Sequence, residues 1–460
     1  MLVLSYCLST FHFDRAKLAI NLTVFPPGSF EQSASVLADP VQTGVIYKCL
    51  KWLRIASVLD FFTRVGVNLS LCFQMRHAVS LIQDPRARLT SVYPKNHRVS
   101  AAFFVLFAVL ICVFVSESVR TSARACEPHP ECVVNAHRWT RVASGSLTQC
   151  PCLMLIDGDG APKTFEEVTQ PKDVTDKVTQ LATMGELQTI QLTNRYLLTL
   201  PDELRRCTEM KYLYVGYVRH VEGTFGSSLS ALPDDMFDDM SALTFMHLGV
   251  HPGMQQLPSF AGLTSLQSLN LAVLPSLAAL PSVDSLHSLE RFVIAGLPLL
   301  DSMPDLTAIR KLKWFAVVDR GTWCCNGFYK PCNLSHSMCQ VHQIWGTPAA
   351  TCLEPNRSEK VPTAGTLQLI AEFPFSVCAG EALVPGILEG PPTPEGMAQC
   401  NGTLYRQCEV SGYPEAMCYS ARFMGITCDP NPFPIEMRRR QIAEGVGDSC
   451  DPEVEAWLGC

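Results

Sequence analysis

A spacing of 23 residues governs the middle of this chain. A pattern of the form L-x-x-L-x-x-L-x-L sets its second apolar residue at Leu187, Met210, Leu243, Leu266, Leu289 and Leu312, at intervals of 23, 33, 23, 23 and 23. A Leu-Pro or Met-Pro pair follows at Pro201, Pro233, Pro258, Pro281 and Pro304, the last three again 23 apart. A unit this short cannot bury its apolar face alone, so successive units must stack and share one core.

The period and motif predict an α/β leucine-rich-repeat solenoid over residues 184–320, with parallel strands on one side and an irregular convex side. The long interval implies a ten-residue insertion around Arg219–Leu229. Pro252, Pro275 and Pro298 stand where such units usually carry asparagine, so the backbone inside each turn must be satisfied differently. The first apolar position reads Met184, Cys207, Met240, Leu263, Leu286 and Ile309. Cys207 therefore occupies a leucine site and is expected to be a buried free thiol.

Side chains between the consensus leucines alternate outward, onto the concave face. One row reads Thr189, Tyr212, Phe245, Ser268, Arg291 and Trp314, the next Gln191, Tyr214, His247, Asn270, Val293 and Ala316. Tyr212, Tyr214, Phe245, His247, Arg291 and Trp314 are the candidate ligand contacts, because aromatics and arginine bury large areas at interfaces. The competing reading is that the C-terminal tail folds back and buries this face.

The 21 cysteines are unevenly placed, with four (Cys7, Cys49, Cys72, Cys112) in the first 116 residues and 17 after them. Dense cysteine of this kind implies disulfides in an oxidising compartment. No C-x-x-C pair occurs, which disfavours zinc. Setting Cys207 aside, sixteen candidates remain, with connectivity left open. Cys126, Cys132, Cys150 and Cys152 fit an N-terminal cap over 117–183. Cys324, Cys325, Cys332, Cys339 and Cys352 fit a C-terminal cap over 321–361. Cys378, Cys400, Cys408, Cys418, Cys428, Cys450 and Cys460 fall in a proline- and glycine-rich module over 362–460.

Ahead of the repeats, Val99–Val115 is uncharged and predicts a transmembrane helix over 99–116, about 26 Å long against a hydrocarbon core of about 30 Å. Arg86, Arg88, Lys95 and Arg98 precede it, while Arg120 and Arg124 follow with Glu117 and Glu127. The positive-inside rule then puts residues 1–98 in the cytoplasm or on its membrane and the cysteine-rich part outside or in a lumen. Sequons at Asn333, Asn356 and Asn401 fall on the outside, whereas those at Asn21 and Asn68 fall on the wrong side or in the membrane. An apolar stretch near 50–73 contains Arg54, Asp60 and Arg64 and predicts an interfacial or bundled helix. Met1–Phe13 lacks the basic start of a signal peptide and is expected to be the remnant of a longer membrane region.

Catalytic patterns are missing: the chain has no G-x-S-x-G, H-E-x-x-H, P-loop, G-x-G-x-x-G or kinase motif. Asp157-Gly158-Asp159-Gly160 begins like a calcium loop, but Pro162 and Val168 replace its required glycine and glutamate, so a turn is expected. Vicinal Cys324-Cys325 reads as a structural cap, His336 and His342 as surface histidines, and Arg438–Arg440 as a solvated basic face. With a net charge of −7, a charged fraction of 17% and a mean hydropathy of +0.15, nucleic acid is not an expected partner. No cofactor or metal is expected.

The terminal run PEVEAWLGC (Pro452–Cys460), with Trp457, Leu458, Gly459 and Cys460, resembles a group of oomycete leucine-rich-repeat membrane proteins named for a W-L-G-C motif. QCPCLMLID (Gln149–Asp157), RGTWCCNGF (Arg320–Phe328), MRRRQIAEGVG (Met437–Gly447) and ADPVQTGVIYK (Ala38–Lys48) are similar to it as well. The resemblance implies a multi-span or single-span N-terminal membrane region, a repeat ectodomain and a cysteine-rich tail, but no defined activity. The expected role is non-catalytic: a membrane-anchored receptor-like or adhesion protein that binds an extracellular protein, peptide or glycan, with a membrane co-receptor if it signals. The alternatives are a self-associating wall or surface protein and, more remotely, a thiol-dependent enzyme.

Overall fold

The computed structural model describes residues 20, 58–83, 98–136, 149–158, 162–216, 229, 232–318, 321–341, 348–354, 360–378, 392–420 and 425–460. Most of the expected insertion at Arg219–Leu229 lies outside these residues, as do Asp159, Gly160, His342 and Asn356; Leu229 is described and fully buried.

Two long helices come first. Helix α1 spans Val58–Gln83, running past the expected end at 73, and helix α2 spans Arg98–Cys126. Among the described residues α2 is the one helix long and apolar enough to cross a membrane, over Val105–Cys126. It passes the expected exit at residue 116 without a break and ends in the cap, where Ser118 and Ser122 are buried and Cys126 is bonded to Cys150.

Strands β1 (Cys132–Asn135) and β2 (Cys152–Gly158) pair antiparallel and are tied by Cys132–Cys152. Short helices α3 (Phe165–Thr169) and α4 (Thr175–Ala182) follow. Then come β3 (Thr189–Thr193), β4 (Tyr212–Gly216), β5 (Phe245–Gly249), β6 (Ser268–Ala272), β7 (Arg291–Ala295) and β8 (Trp314–Val318). All eight form one sheet in chain order, parallel from β2 onward.

The register follows from the two-residue alternation of strand side chains. Ile190, Leu213, Met246, Leu269, Phe292 and Phe315 lie opposite one another along the sheet, and each is at most 2% exposed. Below them Leu187, Met210, Leu243, Leu266 and Leu289 form a second buried row. The far side closes through turns rather than long helices: Leu263 N bonds Phe260 O at 3.0 Å, and Leu286 N and Ile309 N repeat this at 2.9 and 3.0 Å.

The proline-bearing turns borrow a hydroxyl from the next unit. Ser276 Oγ donates to Pro252 O at 2.5 Å, and Thr322 Oγ1 donates to Pro298 O at 2.7 Å. The residue after a strand takes a left-handed backbone at Asn194, Val250, Val273 and Gly296. Valine is strained there, and the amides of Val250 and Val273 are held by the next strand, on Ala272 O and Ala295 O at 2.8 and 2.7 Å.

The C-terminal cap reaches further than residue 361. Helix α5 (Ala364–Ala371) and the residues after it pack on the last unit: Leu306 N donates to Thr366 Oγ1 at 2.9 Å, Val317 N to Ser376 O at 2.8 Å, and Phe373 meets Phe315 edge-on. Cys378, expected in the tail, bonds Cys324; Cys325–Cys339 and Cys332–Cys352 complete the cap.

The tail holds α6 (Pro394–Cys400), a three-stranded sheet of β9 (Gln407–Cys408), β10 (Ala416–Ser420) and β11 (Ile426–Asp429), and α7 (Pro432–Glu444). Cys400–Cys418, Cys408–Cys428 and Cys450–Cys460 staple it. Only part of the basic triplet is a solvated face: Arg440 is exposed and Arg439 half-buried, but Arg438 is not. Arg438 is 1% exposed and grips Glu455 with Nε to Oε2 at 2.6 Å and Nη2 to Oε1 at 3.1 Å, because a buried guanidinium needs a paired carboxylate. It also lies over the Tyr405 ring at 4.5 Å, and Trp457 Nε1 donates to Tyr405 O at 2.9 Å. Leu458 is buried, Gly459 takes a left-handed φ of 98°, and Cys460 closes onto Cys450.

The tail returns to the start of the fold. Met397 packs with Val168, Phe165 and Val250, and Ile426 N donates to Pro162 O at 2.8 Å. Ile20, 4% exposed, packs with Met437, Tyr419, Phe433 and Val446.

Candidate functional site

The side chains at the first and third positions of β3 to β8 face away from the core, and the ladder sets them in rows. Tyr212 lies opposite Phe245, Phe245 opposite Ser268, Ser268 opposite Arg291, and Arg291 opposite Trp314. Tyr214, His247, Asn270, Val293 and Ala316 form the parallel row. All six candidate contacts therefore share one face, and each is half-buried.

Neighbouring strands lie about 4.8 Å apart, close to the contact distance of two stacked rings. The Tyr212 and Phe245 rings stack at 4.3 Å and 6°, and those of Tyr214 and His247 at 4.4 Å and 8°. Stacking along the ladder turns the remaining ring faces of Phe245 and His247 toward β6, where the shorter Ser268 and Asn270 stand. Glycines make room for the inner pair. A Cβ at Gly216 would sit 3.0 Å from a Tyr214 ring carbon, and one at Gly249 would sit 2.6 Å from His247 Nε2.

The face is electrically quiet. Burial, with the neighbouring His251 adding repulsion, holds His247 down at about 4, so it is neutral at ordinary pH. Burial raises both tyrosines, Tyr214 to about 12, so they stay protonated. Arg291 supplies positive charge. Asn270 is 8% exposed, and neither its Oδ1 nor Ser268 Oγ has a hydrogen-bond partner among the described residues. Buried acceptors of this kind favour a donor brought by a ligand or water.

Other expectations fall as follows. Asn333 and Asn401 are exposed, and Asn333 Oδ1 accepts from Ser335 N at 3.1 Å. Cys207 is fully buried and unpaired, and burial pushes its thiol up to about 11. Vicinal Cys324 and Cys325 bond to different partners. His336 caps a short turn, its Nδ1 accepting from Met338 N at 3.3 Å. The sulfurs of Cys126, Cys132 and Cys150 cluster, as do those of Cys400, Cys408 and Cys418, but each is engaged in a disulfide, leaving no thiolate to bind metal.

Three features escaped the sequence reading. Asp157 lies in β2, not in a turn, and accepts from Arg195 Nε at 2.7 Å with both side chains buried. His251, 1% exposed, has its Nε2 3.3 Å from Val215 O, while its Nδ1 has no partner among the described residues. Gly216 and Gly249, two residues beyond a ring on the same strand, were a readable signal, since only a missing side chain lets the ring lean that way.

Residues 395–460 match the WLGC domain. Among solved structures, the chain is similar to a leucine-rich-repeat protein of Leptospira interrogans, at 19% identity over 31% of this chain, with a TM-score of 0.24. The match spans about a third of that protein, 33%. No curated protein matches the sequence.

Proposed function

We propose that the chain is a membrane-anchored surface protein whose leucine-rich repeats form a solenoid that binds an extracellular protein, peptide or glycan, without catalysis. The observation that carries this reading is the pair of stacked aromatic tiers, Tyr212–Phe245 and Tyr214–His247, in register on one sheet face beside Arg291 and Trp314. Rigid aromatic area of this kind costs little entropy to immobilise and anchors interfaces. The apolar α2 supports anchoring, and eight disulfides among the described residues support an oxidising compartment for everything after it.

Full-length chain in detergent micelles, carrying Phe245→Leu or Trp314→Leu, should keep its melting temperature within a few degrees. It should also lose most adsorption to extracellular matrix or wall fractions. Adsorption equal to wild type in folded variants rejects the face as the site.

A second reading has its own support. Phe375 is 93% exposed and Val361 61% exposed in the C-terminal cap, apolar surface at the end of the array that would favour self-association. Concentration-dependent oligomerisation that Phe375→Ser abolishes would favour it.

A further inference from the structure

The two aromatic tiers break at β6. β4 and β5 stack Tyr212 with Phe245 and Tyr214 with His247, but β6 sets Ser268 and Asn270 at the next step of both rows. β7 then brings Arg291 and Val293 into the same two rows. From β5 to β7 is two strand spacings, about 9.6 Å. That is room for one flat ring, held on each side near the 4.3 and 4.4 Å of the existing pairs.

The floor of this step is polar. Ser268 Oγ and Asn270 Oδ1 both lack a hydrogen-bond partner among the described residues, and Asn270 is 8% exposed. An acceptor left unmet at that depth is costly, so the floor calls for an N–H or O–H. Its own row carries apolar Val293 and Ala316 on β7 and β8, so the register itself asks for no amide at Asn270.

We infer that the step at β6 is the seat for an aromatic side chain of a partner polypeptide, tryptophan by preference, inserted edge-first between Phe245 and Arg291 with its N–H on Asn270 Oδ1. This names the ligand class for the face proposed above and rests on that reading. Three features select the occupant. A flat ring repeats the pitch of the tiers already built, and it offers one face to Phe245 and to the neutral ring of His247. Ser268 and Asn270 stand two residues apart on one strand, about 6.8 Å, so a bicyclic ring faces both rows at once. On the other flank the Arg291 guanidinium meets the electron-rich face of an indole, an attraction that a pyranose, with no π system, does not receive. An aliphatic side chain would fill the space and leave Asn270 Oδ1 unmet.

The test is saturation-transfer NMR on the full-length chain in detergent micelles, with N-acetyl-Gly-Trp-Gly-amide, its leucine counterpart and cellobiose as probes. Wild type should transfer to the indole protons and to neither other probe. Asn270→Leu should weaken that binding about five- to tenfold, the share of one hydrogen bond. Ser268→Phe should abolish it, because a ring supplied by β6 takes the seat, and should hold or raise the melting temperature as the stack runs on. Wild-type binding in Asn270→Leu, an indole signal that persists in Ser268→Phe, or an equal signal from the leucine probe overturns the inference. A cellobiose signal in place of the indole signal overturns it too and assigns the step to a glycan. If no probe binds while Phe245→Leu still loses adsorption to matrix, the seat is wrong and the face stands. Adsorption of Phe245→Leu equal to wild type rejects the face itself, a distinct outcome.

Discussion

A guanidinium at 1% exposure persists only when acceptors surround it, and Arg438 has Glu455 on two of its nitrogens and Asp448 O at 3.1 Å on the third. Glu455 is itself 4% exposed and also receives Asp451 N, so the pair ties α7 to the chain end that carries Trp457 and Cys460. Removing one partner strands a buried charge, at a cost of about 3–5 kcal/mol. Glu455→Ala should therefore open the tail to limited proteolysis in the intact chain, whereas Arg438→Met with Glu455→Leu should restore most of the protection. Equal sensitivity of the single and double variants would contradict this account. Cys207 poses the opposite case. Its thiol sits in the core, 3.7 Å from Ala182 O, and burial keeps it protonated. Maleimide should label Cys207 in unfolded protein and leave it unlabelled in the native chain, and rapid native labelling would contradict the burial.

At the level of the repeat, the turn after β5 departs from its neighbours. Leu274 and Leu297 fill the position that His251 occupies, and all three are at most 1% exposed. An unfolded histidine takes up a proton near 6.5, but burial holds folded His251 down at about 4. Between those values the unfolded chain binds more protons, so stability falls as pH drops through 6.5 and the loss levels off below about 4. The slope is about 1.4 kcal/mol per pH unit at most for this one group. His251→Leu, which matches the neighbouring units, should raise the acid-side melting temperature and flatten its dependence between pH 6.5 and 4.5; an unchanged slope assigns the effect elsewhere. The repeat itself was open to sequence reading because its information is local. The leucine motif, followed across its one 33-residue interval, and a two-residue alternation together place Tyr212 beside Phe245 and Tyr214 beside His247. Whatever depends on long-range pairing was closed to it: Arg438 looks solvated until Glu455, 17 residues on, is brought beside it. Asp157 looks like part of a turn until Arg195 reaches it from beyond β3.

For the molecule as a whole, the open problem of any stacked array is its two ends, where the last unit would leave its core face wet. At the N-terminal end the β1–β2 hairpin and two disulfides supply the cover. At the other end, Phe315 is covered by residues 364–378, which bring Phe373 against it and Ser376 against the free edge of β8. One covalent bond, Cys324–Cys378, holds that segment, across 54 residues of sequence. Closing a loop of that length restricts the unfolded chain by about 4 kcal/mol in the chain-entropy model. Cys324→Ser with Cys378→Ser should therefore lower the melting temperature and raise binding of a hydrophobic dye, as the aromatic end of the array becomes exposed. Cys332→Ser with Cys352→Ser breaks a shorter span of 20 residues whose cysteines are already solvent-exposed, and should cost less. A ranking in the other order would mean that the end of the array is sealed by the Cys332–Cys352 loop and not by α5.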